Sequence, residues 1–305
     1  MRVLIAGGTG FLGRAIVAAL TDRNVDVSVL TRDAARAADA YPFLSASFVE
    51  GNLEDPDALI AAMVDMDAAI FTVQFSGYPV EAPAVGRTFL EVDTGGTQSL
   101  AHAANRAGVP KIVYLSGVGA DVSSKRVWYQ AKGLAEKAVQ EAGPTWSIIR
   151  PSWVYGPDDV SLNRFVNLVR KIPFLFPQLG PGSQQITPLF IDDLAVLVRD
   201  VVLGKRGDGA ILEVGGPETI TLDEIVRTVM RLLEREKPIL HFPLWLMRPA
   251  AKVIGWLPGQ FFSADALDFL TQDGVADLAE TSRCFPNFRP QKFETALKGY
   301  LEAMS

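Results

Sequence analysis

Apolar positions along this chain follow two spacings, short runs with a period of two and longer stretches in which they recur every three or four residues. Val3-Leu-Ile-Ala6 is an apolar run that stops at glycines, and Arg14-Ala-Ile-Val-Ala-Ala-Leu20 after it has helical spacing. Strands are expected over 25–30, 46–49, 68–72, 111–115 and 145–149, with helices over 55–64, from the end of a loop at 73–87 up to 107, and over 124–141. Six strands alternating with helices predict an α/β fold, a doubly wound (Rossmann) parallel sheet with right-handed crossovers. Past residue 157 the pattern changes to a helix over 162–171, a loop rich in proline and aromatic residues over 172–182, a strand over 186–191, a helix to 203 and a strand over 210–214. Thr221-Leu-Asp-Glu224 is a capping box that opens a helix ending near 237. The interleaving assigns 1–157 plus 186–215 to the sheet domain and 158–185 plus 216–305 to a smaller, mostly helical C-terminal lobe.

The junction between the first strand and the first helix carries chemistry. Gly7-Gly-Thr-Gly-Phe-Leu-Gly13 reads as G-x-x-G-x-x-G from Gly7 or as G-x-G-x-x-G from Gly8. Directly after a strand and before a helix, that pattern is a dinucleotide-binding turn. Gly7 allows the sharp turn, Gly10 lets backbone approach a pyrophosphate, and Gly13 lets helix lie on strand. Thr9, Phe11 and Leu12 complete the turn, and phosphates would sit at the helix N-terminus. The tip of the second strand, Thr31-Arg-Asp33, selects the ribose. A neutral residue followed by arginine accommodates a 2′-phosphate and favours NADP(H); the alternative is NAD(H), with Asp33 on the ribose hydroxyls. Asn52 and Leu53 fall where adenine would lie. Val73, Ser116, Pro151, Trp153 and Val154 stand at or just beyond later strand ends, where ligands bind in this architecture.

Composition narrows the setting. With 305 residues and 49% hydrophobic content the chain can bury a large core, and a net charge of −6 without a basic run argues against nucleic acid as a partner. One cysteine, Cys284, and two histidines leave no disulfide and no metal-ligand cluster, which fits a reducing cytoplasmic setting. The apolar N-terminus is interrupted by glycines too early for a signal peptide or a membrane span.

The glycine turn, Glu50-Gly-Asn-Leu53, Tyr114-Leu-Ser-Gly117, Lys132 in a helix and Arg150-Pro-Ser-Trp-Val-Tyr-Gly-Pro157 together resemble the extended and atypical short-chain dehydrogenase/reductase superfamily. Within it the chain is most similar to the group related to the nucleotide-binding accessory subunit of respiratory complex I, through Pro188-Leu-Phe-Ile-Asp-Asp-Leu-Ala195, Glu213-Val-Gly-Gly-Pro217 and the C-terminal lobe. The resemblance implies an epimerase/dehydratase-like fold and a catalytic set of tyrosine, lysine four residues later, and a strand-end serine. Here Trp128 stands four residues before Lys132, and Gly117 takes the position that resembles the serine. Indole is no acid or base near neutral pH, so the usual proton donor is missing. Lys132 is expected to contact the nicotinamide ribose; Tyr129, three residues before it, and Tyr155 are the substitute proton sources to test. The implied functions are reduction of an apolar carbonyl or enone with non-standard residues, or a non-catalytic NADPH-binding accessory role at a membrane complex. Residues 238–262, strongly apolar but broken by prolines, could line an apolar substrate's pocket or meet a membrane surface or protein partner through Trp245, Leu246, Trp256 and Leu257. That would make the protein cytoplasmic or peripheral to a membrane.

Overall fold

In the computed structural model, which describes residues 1–75, 80–243 and 272–303, the first strand β1 (Arg2–Ala6) lies in the middle of a sheet and is buried from its second residue onward. Side chains alternate across a strand, and β1 uses both sides: Val3 and Ile5 join one apolar cluster, Leu4 and Ala6 another. The chain continues through α1 (Phe11–Thr21), β2 (Asp26–Thr31), α2 (Ala34–Ala40), β3 (Ser47–Glu50), α3 (Pro56–Met63) and β4 (Ala68–Phe71). A π-helical segment, Phe89–Gly96, leads into α4 (Thr97–Arg106), followed by β5 (Lys111–Leu115), α5 (Val127–Glu141) and β6 (Thr145–Pro151). After the short β7 (Val154–Tyr155) come α6 (Val160–Lys171), β8 (Phe176–Leu179), β9 (Gln185–Ile186), β10 (Leu189–Phe190), α7 (Ile191–Leu203) and β11 (Ile211–Val214). The remaining described elements are β12 (Ile220–Thr221), α8 (Leu222–Leu232), β13 (Ile239–Phe242), α9 (Ala279–Cys284) and α10 (Phe293–Ala303).

The main sheet has the order β11-β6-β5-β4-β1-β2-β3, and every pairing is parallel. This is the doubly wound sheet expected, extended at one edge by β11. The order reverses at β1 and β4, so the strands' carboxyl ends open a crevice there. One face is covered by α1 and α7, whose Ile16, Val17, Leu20, Leu194, Val198 and Val201 are buried. The other face is covered by α3, α4 and α5. A third cluster, built from α6, α8, α10 and the start of α7, forms the core of the smaller lobe.

Departures from the expected elements have local causes. The loop expected over 172–182 contains β8, which pairs in parallel with β13 about sixty residues later, a partner no local pattern announces. The strand expected over 186–191 splits into β9 and β10, with Pro188 between them. α8 keeps its capping box but stops at Leu232 rather than near 237, because Glu234 takes a left-handed φ of 54°. α5 starts at Val127, not 124, since Ser123 and Ser124 are held in turns by Asp121. Of the apolar stretch 238–262 only residues 238–243, which include β13, are described; Trp245, Leu246, Trp256 and Leu257 lie outside the described residues. No helix among the described residues is long and apolar enough to cross a membrane.

Candidate dinucleotide site

The turn after β1 is closed by a Gly10 N–H donating to the Gly7 carbonyl at 3.0 Å. Gly7 has φ +92°, and a Cβ there would stand 2.6 Å from the Thr72 carbonyl oxygen at the end of β4. A Cβ on Gly13 would be 2.1 Å from the Gly7 carbonyl oxygen, so α1 packs on the turn at a distance only glycine permits. At Gly10 the same test meets nothing but that carbonyl, at 3.2 Å. α1 begins without a side-chain cap, whereas Asp33 caps α2 through the Arg36 N–H and Asp55 caps α3 through the Ala58 N–H. An open backbone cradle at an uncapped helix start, beside the point where strand order reverses, fits a pyrophosphate. Thr9 is held in place by Arg14, which donates to its carbonyl at 2.9 Å and pairs with Asp158 at 2.8 Å. Phe11 and Leu12 are half-buried and also pack on the small-lobe core.

The remaining sequence-derived positions lie along the same carboxyl edge. Thr31 ends β2 beside Glu50, and Arg32 is exposed just beyond it. Asp33 is committed to the α2 cap at 2.9 Å. Asn52 is exposed after β3, with its side-chain oxygen accepting from the Glu54 N–H at 3.4 Å. Leu53 packs so closely on Gly96 that a Cβ there would stand 2.8 Å from it. Val73 is half-buried past β4, and Pro151 ends β6. Trp153 immediately precedes β7, which begins at Val154 and pairs with β10.

The face of α5 over the end of β5 is different in kind. Trp128, Lys132 and Glu136 recur at intervals of four and therefore share one row of the helix. The indole lies against Gly117, where a Cβ would meet its Cη2 at 2.6 Å, so a side chain at 117 and an indole at 128 exclude one another. The two departures from the usual catalytic set are thus one packing solution. Trp128 packs against a small apolar cluster of Phe75, Phe89 and Ala131, as does Val92. Tyr129, rotated around the helix, packs on Gly119 instead, 2.5 Å from a Cβ there, and burial raises its pKa. Tyr155, by contrast, is fully buried in the small-lobe core, between Phe190 and Phe293, with its hydroxyl 3.4 Å from the Phe293 carbonyl. Burial, reinforced by the nearby Asp193, pushes its pKa well above the usual phenol value.

Lys132 is 4% exposed and pairs with the fully buried Asp93 at 2.9 Å. Its Nζ is 5.5 Å from the centroid of Tyr114. Desolvation raises the pKa of both Asp93 and Tyr114, and the Lys132 charge opposes the rise in each. One turn on, the buried Glu136 accepts from the Ser116 hydroxyl at 2.5 Å and from Arg150 at 2.8 and 2.6 Å. Arg150 also reaches Glu213 of β11 at 3.5 Å. Asp93 and Glu136 are not singled out by the sequence pattern, and Arg150 is marked there only as the first residue of a motif. The i, i+4 step from Lys132 would find Glu136, but nothing local marks Asp93, which sits on a different element 39 positions earlier.

A sequence profile described as NAD(P)H-binding matches residues 7–167. The Ceramide reductase of Caulobacter vibrioides is 31% identical over 298 residues, spanning 93% of this chain and 89% of that protein. The mitochondrial NADH dehydrogenase (ubiquinone) 1 alpha subcomplex subunit 9 of Arabidopsis thaliana is 28% identical over 287 residues, 88% of this chain and 69% of that protein. Among solved structures, UDP-glucuronic acid 4-epimerase from Bacillus cereus, in complex with UDP-glucuronic acid and NAD, superposes with a TM-score of 0.76 at 16% identity over 100% of both chains, a likeness of fold.

Proposed function

Because the chain belongs to the NAD(P)H-binding family of atypical short-chain dehydrogenases/reductases, we propose that it holds NADP(H) and reduces the carbonyl or enone of an apolar molecule without the usual serine–tyrosine pair. The observation that carries this reading is the enclosed Lys132 ammonium, on the same row of α5 as an indole that fills the tyrosine position. In this reading the glycine turn and the start of α1 hold the pyrophosphate, Arg32 faces the 2′-phosphate, and Lys132 donates to the ribose hydroxyls. When bound, the reduced dinucleotide supplies a hydride. Trp128 and Phe75 would keep water from the reacting end, and the Lys132 ammonium is the proton-bearing group that remains of the usual catalytic set. The Ser116 hydroxyl is turned to Glu136, so it is offered to a substrate only as an acceptor. An apolar substrate agrees with this wall, and with relatives named Ceramide reductase and 2-alkyl-3-oxoalkanoate reductase.

Turnover is tested by following NADPH absorbance with long-chain ketones and enones. Oxidation that depends on the ketone supports the reading, and none across the panel sinks it. Lys132→Ala should weaken NADPH binding about tenfold or more, the loss of one charged hydrogen bond; an unchanged affinity removes the ribose role. A second reading, an accessory protein that uses the dinucleotide structurally, is favoured by the relatives named as NADH dehydrogenase and NADH-ubiquinone oxidoreductase subunits. It predicts retained NADPH without turnover, and co-purification with a membrane complex that resists salt washing.

A further inference from the structure

α1 carries a single charged residue, at the end of the helix that suits it least. Within Phe11–Thr21 only Arg14 is charged, and the first turn holds no acidic residue beside it. The start of a helix is its positive end, where an anion is favourable and a cation is not. Arg14 nevertheless turns toward that end. Its guanidinium reaches back past the uncapped Gly10 and donates to the Thr9 carbonyl at 2.9 Å, with its Cζ 5.9 Å from the centroid of the Tyr41 ring. The anion it meets comes from the smaller lobe: Asp158, in the loop before α6, at 2.8 Å. That loop lies against the start of α1, since a Cβ on Gly156 would stand 3.5 Å from the Phe11 ring. The neighbouring Asp159 is committed to capping α6 through the Ser161 and Leu162 N–H groups. The Asp158 side chain is 67% exposed, and an ion pair with so exposed a partner is weakly held.

Building on the pyrophosphate cradle proposed above, we infer that Arg14 is a ligand of the pyrophosphate, and that Asp158 is the anion it releases when the phosphates arrive. A guanidinium presents its N–H groups as a rigid fork that matches phosphate oxygens, and a charge-assisted contact of that kind outweighs a pair with an exposed carboxylate. The helix start and Arg14 together call for negative charge, and Asp158 supplies a single carboxylate from another lobe where a pyrophosphate brings two charges. Left in place beside the phosphates, Asp158 repels them. It therefore opposes binding, whereas a residue that merely tied the lobes together would support it. Both dinucleotides carry the pyrophosphate, so Arg14 adds affinity without choosing between them; the choice belongs to the tip of β2.

The test is fluorescence titration of the full chain with NADPH and with NADH, each variant first checked by thermal melting without dinucleotide. Arg14→Met is expected to weaken both dinucleotides about tenfold or more, the loss of a charge-assisted contact. Asp158→Asn is expected to tighten both about threefold, the size of one exposed charge interaction. Arg14→Lys keeps the charge but not the fork, so its affinity should fall between wild type and Arg14→Met, and it decides the matter if the Met variant does not melt as a folded protein. An Asp158→Asn variant that binds as wild type does or more weakly, an Arg14 variant of unchanged affinity, or a loss confined to NADPH overturns the inference. Failure of the cradle itself looks different: a wild-type chain that binds neither dinucleotide removes the cradle and Arg14's role with it, whereas a wild type that binds beside indifferent variants removes Arg14 and Asp158 alone.

Discussion

The turn after β1 and the α5 face over the end of β5 differ in what they are made of. The turn is backbone: its shape depends on the absence of Cβ atoms at Gly7 and Gly13, and any side chain at those places meets main chain that cannot yield. The α5 face is side chain: Trp128 stands on Gly117 where a tyrosine and a serine are expected, and the helix and strand beneath keep their places. The first kind of site is all or nothing, while the second can be rewritten one side chain at a time. Binding of a dinucleotide and the chemistry done with it are therefore separately adjustable in this architecture, and the family's shared turn is no guarantee of shared chemistry.

The sharpest way to break the comparison is at the turn. Gly13→Val should abolish NADPH binding in a titration and lower stability by about 1–3 kcal/mol, the usual cost of forcing atoms into a packed place. A variant that still binds would show that the turn is not the cradle. At the α5 face the expected effect is smaller and conditional. Gly117→Ser alone should destabilise by about 1–3 kcal/mol through its contact with the indole, and adding Trp128→Tyr should recover about 1 kcal/mol of that in urea denaturation. Additive single and double variants would mean that the two departures are independent. Ketone-dependent NADPH oxidation should rise only in the double variant.

Cofactor choice distinguishes the two kinds of site at the tip of β2. Arg32→Asp should shift the NADPH over NADH preference about tenfold or more toward NADH, since a charge-assisted contact to phosphate is replaced by repulsion. An unchanged ratio of affinities would return the ribose to Asp33. The smallest effect is expected from Asp33→Ala, which removes the α2 cap and costs about 1 kcal/mol of stability in thermal melting. It should leave the cofactor preference as it was; loss of NADH binding instead would mark Asp33 as a ribose ligand.

Legibility in the sequence followed the same division. The parallel sheet, the glycine turn and the residues at the ends of the strands are written in consecutive residues, because period, turn chemistry and helix caps are local properties. The missing tyrosine and serine were equally plain at Trp128 and Gly117, as identities at fixed spacing. That the indole fills the space over Gly117, and that Lys132 has a buried carboxylate, depends on contacts across 11 and 39 positions and left no local trace. Tyr155 shows the converse: its sequence position made it a candidate proton source, and the small lobe's own core, built from residues as distant as Phe293, encloses it. β8 was hidden for the same reason, since its partner β13 is remote in the chain.

Native mass spectrometry of the purified full chain, offered NADPH and NADH in equal amounts, addresses the central claim most directly. The account predicts a retained NADPH adduct in wild type, its loss in Gly13→Val, and its survival in the Gly117→Ser, Trp128→Tyr double variant. A wild-type chain that holds neither dinucleotide, or that takes NADH in preference, contradicts it.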